Sequence, residues 1–234
     1  MTELYRAEKK IITIEDPIEY QIRGITQIQV HPKIDLTFSR GLRSMLRHDP
    51  DIMMVGEIRD FETAEITIRV ALTGHLVFST LHTNDAAGAV ARMVDMGVEP
   101  YLVSSSVECI IAQRLLRTLC THCKQMSAPT PTFQKEIAAL AQILGNKGPV
   151  QVGYPKGCTR CKDTGYHGRT AIHEILVVDD DLRSLIVQRV PANIIRDKAI
   201  AKGMRTLRQE GWRKALLGET SIDEVLRVTQ ESEE

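Results

Sequence analysis

Aromatic residues make up only 4% of this 234-residue chain, so any core it builds is aliphatic. Net charge is missing as well. Lys and Arg total 30, and so do Asp and Glu, which removes any general attraction to nucleic acid or to an anionic membrane surface. No uninterrupted apolar run approaches the roughly 20 residues needed to span a bilayer. The start, Met1-Thr2-Glu3-Leu4-Tyr5, lacks the apolar segment of a signal peptide. These absences predict a protein of the reducing cytosol with no direct membrane insertion. Its five cysteines therefore point to metal binding before disulfides. There is no internal repeat and no low-complexity tract beyond a short acidic end at Glu231, Glu233 and Glu234.

What is present is organised around Asp49 to Asn84. The apolar run Ile52-Met53-Met54-Val55 ends at Gly56-Glu57, a helix-like segment follows, and Leu76-Val77-Phe78 ends in Ser79-Thr80-Leu81-His82-Thr83-Asn84. Two buried strands would thus deliver polar groups to one sheet edge, and open α/β sheets carry their chemistry at the carboxyl ends of parallel strands. Upstream, Ile11-Ile12-Thr13-Ile14 reads as a central strand that stops at Glu15-Asp16-Pro17.

The remaining pattern assigns the other elements. Residues 1–10 read as helical, and Tyr20 to Val30 as a half-exposed hairpin turning at Gly24. Thr37 to His48 and Thr63 to Leu72 are helices, the latter closed by Gly74. Asn84 or Asp85 caps a helix that Gly97 stops. Pro100 opens another, with Val103, Val107, Ile110, Ile111 and Leu115 as its buried stripe, which makes Cys109 a core residue. After Leu119 the character changes to knuckles, turns and short strands, with a helix over Phe133 to Leu144, a Gly145-Asn146-Lys147-Gly148-Pro149 loop, and strands Thr170–His173 and Ile175–Val178. The tail is helical, and Ser221-Ile222-Asp223-Glu224 has the form of a capping box.

Five constellations carry chemistry. Cys120-x-x-Cys123 and Cys158-x-x-Cys161 enclose 34 residues, and two such knuckles complete a closed tetrahedral thiolate site of structural type; the alternative is four buried thiols without metal. Glu57, just past an apolar strand, suits the ordering of Mg²⁺ or the activation of water in phosphate-chain hydrolysis; otherwise it caps the next helix. The carboxylates of Glu15, Asp16 and Glu19 need a cation or protons unless they are simply solvated. His75 and His82 flank one strand with six residues between them. Arg40, Arg43 and Arg47 share a helix face, from which Arg43 and Arg47 could neutralise a nucleotide's phosphates, including those of a neighbouring subunit.

Together these pieces resemble one family. ITIEDPIEY at 12–20, GLRSMLRHDPDIMMVGEIRD at 41–60 and ALTGHLVFSTLHTNDA at 71–86 look like the Asp box, Walker B region and His box of GspE/PilB-type secretion ATPases, the motors of type II secretion and type IV pilus assembly. The paired cysteine knuckles and the tail GMRTLRQEGWRKALLGETSIDEVLRVTQ at 203–230 are similar to the same proteins. Retraction motors of that superfamily generally lack the tetracysteine element, so the resemblance favours the assembly and secretion branch.

The resemblance implies an α/β fold, a RecA-like P-loop NTPase core with a tetracysteine zinc module and a helical C-terminal region. It divides the chain into a core at 1–118, a zinc module at 119–169 and C-terminal strands and helices at 170–234. It implies ATP hydrolysis with Mg²⁺ and a structural Zn²⁺, in a cytoplasmic hexameric ring peripheral to the inner membrane that acts on platform and docking proteins there. Glu57 becomes the Walker B acid, Glu15 the Asp-box acid, His75 and His82 the His-box pair, and Arg43 and Arg47 the phosphate-charge sensors. Which acid activates water stays open. The family's Walker A loop, G-x-x-x-x-G-K-S/T, occurs nowhere in the 234 residues. The expectation is therefore a C-terminal portion whose core is truncated at its N-terminus; the alternative is an inactive zinc-containing binding or oligomerisation module.

Overall fold

A computed structural model describes residues 1–6, 8–143 and 148–229. In chain order its first elements are β1 (Ile11–Glu15), β2 (Thr26–Gln29), α1 (Phe38–Met45), β3 (Ile52–Val55), α2 (Phe61–Leu72), β4 (Leu76–Ser79), α3 (Ala86–Asp95) and α4 (Pro100–Ser106). There follow β5 (Cys109–Leu119), β6 (Gln125–Ser127), α5 (Pro131–Ile143), β7 (Val152–Tyr154) and β8 (Tyr166–Val177). The tail holds α6 (Asp180–Val187), α7 (Ala192–Ala201), α8 (Leu207–Leu216) and α9 (Ile222–Thr229). Among the described residues no helix is long and apolar enough to cross a membrane.

The chain forms two compact units. The first comprises Met1–Thr83, Ala87–Glu108 and Val178–Ile195. Its sheet is wholly parallel in the order β2-β1-β3-β4. Parallel strands are covered on both faces and so read as continuous apolar runs. That is why Ile11 to Ile14 and Ile52-Met53 are all buried, and why these two strands stand where the sequence pattern predicts. The core joins Ile12, Ile14, Met53 and Val55 to Leu42 and Met45 of α1 and Val70 of α2. Helix α1 lies very close to β1, since a Cβ on Gly41 would stand 2.1 Å from Ile14 Cδ1. Thr37 and Asp60 cap α1 and α2 by accepting the N–H groups of Arg40 and Thr63.

The second unit comprises Asn84–Ala86, Cys109–Val177 and Arg196–Glu234. An antiparallel ribbon of β5 and β8 is its spine, with Ile111 opposite Ile175 and Leu116 opposite Thr170. One face buries Ala112, Leu116, Ile172 and Leu176, while Ile111, Leu115, Ile175 and Val177 on the other are exposed. Phe133 of α5 packs on Trp212 of α8, ring centroids 5.6 Å apart. Strands β6 and β7 form a small antiparallel pair that the sequence pattern did not indicate.

Several expectations give way. Among the described residues of 1–10 the only helical turn is a 3-10 turn at Thr2–Leu4, and none of them is buried, so no apolar stripe there would sustain a helix. Tyr20–Val30 is not a hairpin, because β2 pairs in parallel with β1 and Tyr20–Arg23 have no strand partner. β4 is not a buried strand but the sheet's edge, with Leu76 47% and Phe78 40% exposed. The Pro100 helix stops at Ser106, where Val107 turns extended, and 109–119 is a strand. Ile110, Ile111 and Leu115 fit helical spacing, but the cross-strand pairing with β8 decides. Cys109 is accordingly exposed and not in the core. The two short strands at 170–178 are one long strand, β8. In the capping box, Ser221 accepts from Glu224 N–H at 3.2 Å, but the Glu224 carboxylate turns to Arg117 and Arg227 instead. Leu144, the Gly145–Lys147 loop and the acidic end at Glu231, Glu233 and Glu234 lie outside the described residues.

Candidate functional site

Glu15 and Gly56 end adjacent parallel strands, for Ile14 pairs with Val55 and Gly56 N–H donates to Ile14 carbonyl at 2.8 Å. Gly56 is needed for that approach: a Cβ there would meet Ile14 O at 3.2 Å and Glu15 Cα at 3.3 Å. The first acid is thus the last residue of β1, and the second follows β3 at once. β4 is tied to the same loop. Ser79 Oγ donates to Val55 O at 2.9 Å, Thr80 Oγ1 to Gly56 O at 2.7 Å, and Ile58 N–H to Thr80 O at 3.0 Å.

The two carboxylates have different surroundings. Glu57, its side chain 12% exposed, has Arg59 Nε at 2.6 Å and His82 Nε2 at 3.1 Å, both on Oε2. The Arg59 hydrogen bond holds the Glu57 carboxyl below its usual range; burial opposes this and His82 reinforces it. Arg59 is in turn pushed up, chiefly by Glu57, and also feels the charge of Asp16. Glu15 has only uncharged donors: Thr13 Oγ1 at 2.6 Å and Gln27 Nε2 at 2.9 Å, both on Oε1. Glu15 Oε2 and Glu57 Oε1 make no hydrogen bond to any described residue. These hard oxygen donors suit Mg²⁺, which takes one or two carboxylates and keeps its remaining positions for water and phosphate.

The other candidate residues are placed less uniformly. His82 stands with Glu57. His75 sits at the opposite end of β4, where its Nδ1 lies 3.0 Å from Thr73 Oγ1 and 3.2 Å from Val70 O at the close of α2. Arg43 and Arg47 are exposed, and Arg43 pairs with Glu62 at 2.8 Å. Arg59, Thr13 and Gln27 escaped the sequence reading. An arginine two residues past the strand-end acid was the available signal for Arg59, and Thr13 is marked only as a polar residue inside an apolar strand.

The four knuckle cysteines converge. Sγ separations are 3.9 Å for Cys120 to Cys158, 3.9 Å for Cys123 to Cys161 and 3.7 Å for Cys158 to Cys161, and all four lie within 4.8 Å of one another. A tetrahedral centre with metal–sulfur bonds of about 2.3 Å requires edges of about 3.8 Å, so the donor set fits Zn²⁺. Burial pushes the Cys123 thiol up to about 11. Burial also raises Cys161, but the N–H groups of Cys158 and Gly165, each 3.2 Å from its sulfur, outweigh it and bring that thiol down to about 7. The site has no open corner, which marks it as structural.

A family model described as "Type II/IV secretion system protein" matches residues 1–227. The chain is 48% identical over 231 residues to the type II secretion system protein E of Aeromonas hydrophila, covering 99% of this chain and 45% of that protein. It is 52% identical over 225 residues to the type IV pilus assembly ATPase PilB of Thermus thermophilus, covering 96% of this chain and 25% of that one. The chain thus spans less than half the length of these curated relatives. Among solved structures, the pilus retraction motor PilT with bound ADP superposes with a TM-score of 0.66 at 28% identity, over 94% of this chain and 52% of that one.

Proposed function

The chain belongs to the type II/IV secretion system protein family, and from that membership we propose that it carries the hydrolytic acids of an ATP-driven motor for type II secretion or type IV pilus assembly. One observation carries the reading: Glu15 and Glu57 stand at the carboxyl ends of neighbouring parallel strands, and His82 holds Glu57. This is the edge at which α/β folds bind and cleave ligands.

The two acids divide the work by their partners. Glu57, held ionised by Arg59, is a weak base and a strong anchor. Glu15, with uncharged donors on Oε1 alone, keeps Oε2 for the proton of the attacking water. The water oxygen bonds to the γ-phosphorus of ATP, its proton passes to Glu15, and ADP leaves with the bond electrons. Glu57 and Glu15 would hold Mg²⁺, which would supply charge neutralisation for the phosphates. Arg43 and Arg47 on the α1 surface serve phosphate charge, including that of a neighbouring copy, in a hexameric ring. His75 takes part through the seating of β4. The tetracysteine cluster holds one Zn²⁺ as a structural brace. The motor works in the cytoplasm at the inner membrane, with platform and docking proteins as partners. The proposed domain division is a core at 1–118, a zinc module at 119–169 and a C-terminal region at 170–234.

The 234 residues contain no G-x-x-x-x-G-K-S/T cradle for the phosphates, while the edge of β4 and its Leu76 and Phe78 are exposed. We propose that the cradle comes from outside these residues, and that the chain by itself binds ATP weakly. The test replaces the matching portion of the Aeromonas relative with this chain and measures Mg²⁺-dependent ATP turnover. Turnover is expected and should fall about 100-fold or more in Glu57→Gln and in Glu15→Gln. A second reading is a zinc-containing binding or oligomerisation module without catalysis; the complete cysteine set favours it. It predicts that the hybrid assembles and never hydrolyses.

A further inference from the structure

Gln27 reaches Glu15 from the neighbouring strand. Parallel pairing sets Gln27 opposite Thr13, and Thr13 and Glu15 share one face of β1 because side chains alternate along a strand. The Gln27 amide is fully engaged. Its Oε1 accepts the Ile22 N–H at 2.8 Å, while Nε2 donates to Tyr20 O at 3.0 Å and to Glu15 Oε1 at 2.9 Å. These partners fix the amide's orientation, since a flip would set N–H against N–H and oxygen against two oxygens. Thr13 Oγ1 donates to the same Glu15 oxygen at 2.6 Å.

We propose that Gln27 is a positioning residue for Glu15. With Thr13 it clamps Oε1 from two directions, which fixes the carboxylate plane and leaves Oε2 as the oxygen that faces the reaction. Both clamps are uncharged, so they orient the acid without the ion pairing that Arg59 imposes on Glu57. The same amide ties the Tyr20–Ile22 segment, exposed at Tyr20 and Gln21 and half-buried at Ile22, to Glu15, so a displacement of that segment is felt at the acid. The role in hydrolysis rests on the reading of Glu15 given above; the geometric role does not.

Two variants separate the functions of the amide. Gln27→Met removes every bond. Gln27→Glu keeps the acceptor for Ile22 N–H and loses the donor to Glu15 and to Tyr20 O. Crystal structures of the whole chain and both variants, grown at about pH 8, well above the ordinary glutamate range, should show the Glu15 carboxylate displaced by more than about 1 Å in both. The Ile22 amide should stay protected from hydrogen exchange in Gln27→Glu and lose protection in Gln27→Met. A Glu15 that keeps its place in both variants overturns the proposal, because Gln27 then merely stitches the loop. In the hybrid turnover assay, Gln27→Glu should lower kcat about 100-fold with KM for ATP within about twofold. If Glu15→Gln leaves turnover intact, the hydrolytic reading fails and the geometric result stands. If Glu15→Gln abolishes turnover and Gln27→Glu does not lower kcat, the positioning role fails alone.

Discussion

Arg59 is ion-paired with Glu57, its Nε 2.6 Å from the carboxylate Oε2. The pair stands at the edge where the parallel strands end, so it sets how basic the second acid is. Glu57 is held below its ordinary value, with the Arg59 bond as the largest cause and His82 contributing less. Arg59→Leu should therefore raise the Glu57 titration midpoint, and His82→Ala should raise it by a smaller amount. Carbon-13 NMR of the Glu57 carboxyl reads both. Because the folded value is the depressed one, the stabilisation is present above the unfolded carboxylate pKa of about 4.3 and lost as pH falls through the folded value. An unmoved midpoint in Arg59→Leu would contradict the assignment of Arg59 as the controlling partner.

The cysteine tetrahedron makes a stoichiometric prediction. Protein prepared without chelator should contain about one Zn²⁺ per chain. Cys161→Ser should lose most of it, because that sulfur takes two backbone N–H donors at the centre of the second knuckle. Cys109→Ser should change nothing, since Cys109 is exposed on β5, outside the cluster. Metal analysis of the three proteins decides, and zinc retained in Cys161→Ser would place the ion elsewhere.

Much of the first unit was legible because parallel strands advertise themselves. Ile11–Ile14, broken only by Thr13, and Ile52–Val55 are apolar runs, followed by Glu15 and, after Gly56, by Glu57. The knuckle spacing likewise announced a four-sulfur cluster. What stayed hidden depends on partners distant in sequence. Strand β5 was read as helix because Val103, Val107, Ile110, Ile111 and Leu115 satisfy a helical period; only β8, some 60 residues away by the Gln113–His173 pairing, makes 109–119 a strand. Arg59 and Gln27 are ordinary polar residues in the sequence, and their importance lies wholly in which carboxylate oxygen they reach.

Glu224 is fully buried and accepts from Arg117 N–H at 3.0 Å, from the Arg117 guanidinium at 2.7 Å and from Arg227 at 2.7 Å. It fastens α9 to β5, and Arg117 also stacks on the Tyr166 ring at 4.1 Å. Burial alone would raise the Glu224 carboxyl, but the two arginines overcome it and bring it down to about 2. Glu224→Ala should destabilise the unit by about 2 kcal/mol, since its charge-assisted hydrogen bonds are lost while the two guanidinium groups, each about half exposed, regain solvent. In the wild type the stabilisation should be complete above about pH 4.3, the unfolded value, and decline as pH falls toward the folded value. Chemical denaturation across that range checks both, and a pH-independent difference between the two proteins would refute the ionic account.

Glu174 is the opposite case, a buried carboxylate with no arginine bonded to it. One oxygen accepts the Ala86 N–H at 2.9 Å, where α3 begins, and the other the Leu207 N–H at 3.3 Å, where α8 begins. Both N–H groups thus share one buried carboxylate. Burial nevertheless prevails over these N–H donors, and the Glu174 carboxyl lies above its usual value. The sign is therefore reversed relative to Glu224. Folding takes up protons here, so this residue's contribution to stability weakens as pH rises from the unfolded value through the folded one. Glu174→Ala should expose both amides to hydrogen exchange. Glu174→Gln keeps one carbonyl oxygen and presents an NH₂ group to the other N–H, so only one of the two amides should lose protection. Residue-resolved exchange at Ala86 and Leu207 distinguishes the cases. Both amides protected in Glu174→Ala would mean that the helix starts are held by the surrounding packing and not by the shared carboxylate.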